Sequence, residues 1–76
     1  MFLDKDNKFK YQFLSRLQQD CLYYLGFGGR NKKHLHYLDE QEHIDNMKAL
    51  YNSFSDSEKP EWITLDDIVM YEKEML

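Results

Sequence analysis

The feature that most constrains this chain is the apolar spacing of its first third. Phe9, Phe13, Leu14, Leu17, Cys21, Tyr24 and Leu25 follow a three-to-four-residue rhythm, which puts side chains on one stripe of an α-helix. The spacing predicts a helix from about Lys8 to Leu25. Lys10, Arg16, Gln18 and Gln19 take its other face, and Asp6 or Asn7 serves as N-cap. Gly26 is expected to stop the helix with a left-handed C-cap. All three glycines of the protein lie in Gly26-Phe27-Gly28-Gly29, so this stretch reads as a tight turn with Phe27 as its apolar anchor.

Two more segments repeat the pattern. Asp39 followed by Glu42 opens a second helix with a capping-box-like start, and Leu38 is placed as a hydrophobic staple. Ile44, Met47, Leu50, Tyr51 and Phe54 form its stripe to about Phe54. Ser53 to Pro60 has loop composition. Thr64 as N-cap with Asp67 in the capping-box position then starts a third helix. Its inward residues are expected to be Leu65, Ile68, Val69 and Met75 or Leu76. The connector from Arg30 to Leu38 fits a short extended piece or a single helical turn. The expected fold is therefore all-α: one domain over residues 1–76, a small compact bundle of about three helices with a glycine-rich turn after the first.

Composition sets limits on that bundle. At 9.3 kDa, folding buries only about 63% of the unfolded surface, roughly enough for an independent fold. Six Tyr, five Phe, one Trp and four Met supply large apolar side chains to a small core. One cysteine forms no internal disulfide. Charges follow Met1-Phe2-Leu3 at once, so no secretory leader is expected. No apolar run approaches the about 18 residues of a membrane span. These features lead to the expectation of a soluble protein in the cytoplasm of a bacterial host. Residues 1–38 carry net charge +4 and residues 39–76 carry −8, a polar molecule with a basic and an acidic region. The acidic residues of the second half read as a solvated helix face rather than as a nucleic-acid mimic.

From about Tyr11 to Tyr71 the sequence resembles the large polyvalent protein-associated domains of phages and conjugative elements. The carrying residues are Leu14-Ser15-Arg16-Leu17-Gln18-Gln19-Asp20-Cys21, Tyr23-Tyr24-Leu25-Gly26, Gly28 and Arg30. His34-Leu35, Ile44, Met47-Lys48-Ala49-Leu50-Tyr51 and Lys59-Pro60-Glu61-Trp62-Ile63-Thr64 continue the match. The resemblance implies a domain of long multi-domain proteins of mobile elements, without catalytic residues to carry over. A free-standing copy is similar to the small counter-defence proteins of mobile elements, anti-CRISPR inhibitors among them.

Read residue by residue, the chain holds no nucleophile elbow, phosphate loop or paired-cysteine motif, so no enzymatic activity is expected. Cys21 on the apolar stripe is a small hydrophobe. Asp20 and Arg30 are expected to pin the glycine turn by a charge-assisted bond. Gly26 and Gly28 shape that turn, and Trp62 reads as a core plug. Tyr11 and Leu22 share one flank of the first helix and Tyr23 lies on another. With Arg30, Lys32 and Lys33 they form the expected partner-binding set. His34 and His36 are candidate zinc ligands, within one chain or bridging two, although plain polar loop residues fit the same positions. The expected partner is a protein, a CRISPR effector or another bacterial defence protein. The alternatives are phosphate contact through Arg30, Lys32 and Lys33 and a homo-oligomer, held by apolar flanks or bridging metal. No cofactor is otherwise expected.

Overall fold

A computed structural model describes residues 6–27 and 29–76. Among these residues three helices form: α1 (Asn7–Leu25), α2 (Glu40–Asn52) and α3 (Leu65–Met75). A single 3-10 turn, Lys32–His34, lies between α1 and α2. No strand occurs among the described residues. The all-α bundle is therefore as expected.

Local chemistry sets each helix start. Asp6, not Asn7, caps α1, its carboxylate accepting from the Phe9 N–H at 2.8 Å. Asp39 does the same for α2 through the Glu42 N–H at 2.9 Å. Leu38 is 58% exposed with φ 59° and packs down no staple. Thr64 and Asp67 form a reciprocal capping box on α3, with bonds of 3.1 and 2.9 Å. Each cap satisfies N–H groups that have no partner within the helix.

α2 packs against both α1 and α3, and α1 also touches α3. Leu14, Leu17, Cys21 and Tyr24 from α1 meet Ile44, Met47 and Leu50 from α2 and Ile68, Tyr71 and Met75 from α3. Leu35, Phe54 and Ile63 close the core from the connecting segments. Each such apolar side chain contributes about 1.5–3 kcal/mol by leaving water.

Several positions depart from the periodic reading. Lys10 is 7% exposed, not on the solvent face. Its ammonium reaches the Ser53 hydroxyl at 3.3 Å and sits 4.7 Å from the Phe54 ring centroid, so the charge is buried with partners. Gln18 is half-buried and donates to the Tyr71 hydroxyl at 3.1 Å, joining α1 to α3. Leu65 and Leu76 point outward at 38% and 65% exposure, and Tyr71 takes the inward place.

The turn after α1 is built differently from expectation. Gly26 has φ −100°, outside the left-handed region. Its N–H bonds the Leu22 and Tyr23 carbonyls, and a Cβ there would lie 3.1 Å from the Leu22 oxygen. Close backbone approach, not handedness, favours glycine. Among the described residues those in the left-handed region are Gly29, Arg30 and Leu38. Gly28 lies outside the described residues. Phe27 anchors nothing: it is 94% exposed.

Candidate docking surface

The C-terminal end of α1 is where apolar and basic groups come together in solvent. The stripe Leu17, Cys21, Tyr24 faces the core, so Leu22 and Tyr23 are rotated out and are 53% and 47% exposed. Phe27 follows at the turn. The Arg30 N–H then bonds the Tyr24 carbonyl at 2.9 Å, returning the chain over the helix end. Asn31 caps the 3-10 turn through the Lys33 N–H at 3.0 Å. Lys32, Lys33 and His34 are all exposed on that turn, and the His34 ring meets Tyr23 edge-on at 4.9 Å.

No Asp or Glu occurs between Cys21 and Leu38. The carboxylates that border this stretch are engaged. Asp20 sits 3.7 Å from Arg16 one turn back. The Tyr24 hydroxyl donates to Glu40 at 2.7 Å, which holds the Glu40 carboxyl below its usual range. The expected Asp20–Arg30 pair does not form. Arg30 instead donates to the Glu74 carbonyl at 2.5 Å, tying the turn to the end of α3. That acceptor is neutral, and no described carboxylate pairs with the guanidinium. Lys32 and Lys33 make no ion pair with any described residue.

Of the expected partner-binding residues, Leu22, Tyr23, Arg30, Lys32 and Lys33 lie in the α1 end and the connector that follows it. Tyr11 does not join them. It stacks on Phe54 with centroids 4.8 Å apart, and its hydroxyl donates to the Glu58 carbonyl. Trp62 is no core plug: 46% of it is exposed, because Pro60 and Ile63 on either side take the inward positions.

Cys21 is fully buried, its sulfur 3.5 Å from that of Met47. Burial, helped by the Asp20 charge, pushes its thiol up to about 12. Such a group is a poor nucleophile. His34 and His36 do not converge on a site. The His36 ring packs edge-on against Phe13 and Tyr37 at 5.2 and 4.9 Å, whereas His34 packs on Tyr23. Among the described residues no three His, Cys, Asp or Glu side chains are grouped to hold a metal. No helix among the described residues is long and apolar enough to cross a membrane.

Two features escaped the sequence reading. Phe27 reads as the apolar anchor of the glycine turn, and nothing local in the sequence signals its exposure. His43 is fully buried on α2, its Nε2 3.0 Å from the Leu17 carbonyl and its Nδ1 without a partner. Its spacing of four before Met47 continues the apolar stripe, a signal available in the sequence.

No curated protein and no solved structure shows significant similarity to the chain. The model of the family described as large polyvalent protein-associated domain 11 matches residues 7–75, spanning all three helices and the connector. The chain belongs to the large polyvalent protein-associated domain 11 family.

Proposed function

We propose that this protein is a docking module of phage or mobile-element origin that binds an acidic surface of a partner protein and performs no chemistry of its own. One observation carries the reading: Leu22, Tyr23 and Phe27 are exposed beside Arg30, Lys32 and Lys33, in a stretch without a carboxylate. Exposed aromatic and arginine side chains are the usual anchors of protein interfaces. Uncompensated cations add steering and selectivity for an acidic partner. In the acidic half, Asp67 is engaged in the α3 cap and Glu72 by Lys48.

The mobile-element setting extends the reading to counter-defence. A module of this size can inhibit a defence nuclease complex, a CRISPR effector among them, by occupying a surface that the complex needs. Phosphate contact by the same cations is the second reading, favoured by the three unpaired charges. It predicts binding that weakens with salt by a log–log slope of about −2 to −3 for three contacts.

The test uses the wild type and a Phe27→Ser/Lys32→Glu/Lys33→Glu variant as baits in bacterial lysate, with affinity for the recovered protein measured for both. Binding lost by at least tenfold in the variant, on the order of 1.4 kcal/mol, supports the docking reading. Equal binding by both baits removes it, as does recovery of nucleic acid alone. Expression in cells that restrict a phage through a CRISPR system should raise its plating. Unchanged plating would dismiss the counter-defence extension and leave docking standing.

A further inference from the structure

Toward the other end of α1, the helix and the loop ahead of α3 enclose an open depression of about 410 Å³ walled by Tyr11, Gln12, Ser15 and Trp62. The Tyr11 wall is fixed in place. Tyr11 is held by its stack on Phe54 and its bond to the Glu58 carbonyl. Trp62 is held between the buried Pro60 and Ile63. The loop is pinned further by the Lys59 ammonium, which donates to the Phe54 carbonyl at 2.8 Å. Yet the indole is nearly half exposed, and its N–H finds no acceptor among the described residues. A half-exposed tryptophan is a strongly enriched anchor type at interfaces.

The charge around this indole is opposite to that of the basic end. Glu58 and Glu61 are exposed. The Glu58 carboxylate accepts only from the neutral Asn7 and Ser55 side chains, and no described cation pairs with Glu58 or Glu61. The neighbouring cations are committed elsewhere: Lys10 to Ser53 and the Phe54 ring, and Lys59 to Asp56 at 3.4 Å and the Phe54 carbonyl. The carboxylates Glu58 and Glu61 thus lie on the loop that carries Trp62, with no described cation set against them.

We propose that this depression docks an extended, lysine- or arginine-bearing segment of a partner protein, its cationic side chain over the Trp62 ring and its charge toward Glu58 and Glu61. Tryptophan is the strongest aromatic partner for such a cation, at ring distances within about 6 Å. Gln12 and Ser15 provide donors and acceptors for the backbone of the segment. The site stands apart from the basic end: ten residues of α1 from Ser15 to Leu25 rise about 15 Å. The protein thus carries two docking ends of opposite charge preference.

Trp62 is the single tryptophan, so its emission reports occupancy directly. The full chain is titrated at low salt with a peptide of alternating arginine and glycine, and with a glutamate–glycine control. A saturable emission change is expected with the first peptide and none with the second. Backbone amide shifts are expected to cluster at Tyr11, Gln12, Ser15 and Trp62. Trp62→Leu, read by those shifts, should weaken binding about fivefold or more. Gln12→Lys, at an exposed position remote from the core, should weaken it comparably and is the control should Trp62→Leu disturb folding. The proposal is overturned by emission that never changes, by an equal response to the acidic peptide, or by undiminished binding to Gln12→Lys. Emission that changes on concentrating the protein alone also overturns it, because the occupant is then a second copy.

Discussion

His43 makes the stability of this fold depend on pH in a way that can be worked out from its surroundings. The imidazole is fully buried, with Nε2 lying 3.0 Å from the Leu17 carbonyl. A carbonyl only accepts, so Nε2 carries the proton and the neutral ring leaves Nδ1 as a bare buried lone pair. Adding a proton creates a charged, buried N–H with no acceptor among the described residues. Burial therefore pushes the His43 pKa below the ordinary 6.5, against the weaker opposite pull of the Leu17 carbonyl and Asp20. His36 and Tyr37 from the connector complete the surroundings.

As pH falls, the unfolded chain takes up this proton first. Stability is full above 6.5 and is lost as pH drops through the lowered folded value. The slope is at most about 1.4 kcal/mol per pH unit for one proton. Each kcal/mol moves Tm by about 4–8 °C in a domain of this size. Glu40 and Glu72, held low by Tyr24 and Lys48, act with the same sign but only below about 4.5.

His43→Leu isolates the effect. It gives up a bond of about 1 kcal/mol and removes an orphaned polar atom that costs about 1–3 kcal/mol. The Leu17 carbonyl keeps its helical partner. The variant should be equal to wild type or up to about 2 kcal/mol more stable near neutral pH, with a Tm that no longer slopes between about pH 7 and pH 5. Circular-dichroism melts across that range decide it. A variant that loses more than about 2 kcal/mol and still shows the wild-type slope would refute the assignment of the orphaned nitrogen.

Two further outcomes follow from single contacts. Thr64→Ala opens the reciprocal cap of α3 and should cost about 1 kcal/mol, read as a lower Tm; an unchanged Tm contradicts the cap. Cys21, buried and with its thiol pushed up to about 12, should resist thiol reagents at mildly alkaline pH until denaturant is added. Complete labelling of the native protein within minutes would show that its side of the core opens.

The basic end was legible in part. Leu22, Tyr23, Arg30, Lys32 and Lys33 are exposed because helix phase and charge both exclude them from the stripe. Tyr11 has nearly the same phase as Leu22, yet it is stacked and bonded. The difference lies in the neighbour: the loop after α2 runs past Tyr11, and nothing described covers Leu22. The depression beside Trp62 was not readable at all, since its walls are fifty residues apart in the chain.

What the amino-acid order determined unaided is the set of helices and their starts. Periodicity fixes which face of each helix is apolar, and a cap such as Thr64 with Asp67 acts over three residues, within reach of the local chain. Which members of a face are covered was decided only when the helices met. Lys10 and His43 lie inside because Ser53 with the Phe54 ring, and the Leu17 carbonyl, wait there for them. Phe27, Trp62 and Leu65 stay outside because three short helices lack the surface to cover every apolar side chain. Burial is a property of the neighbour that arrives, and that neighbour is distant in sequence.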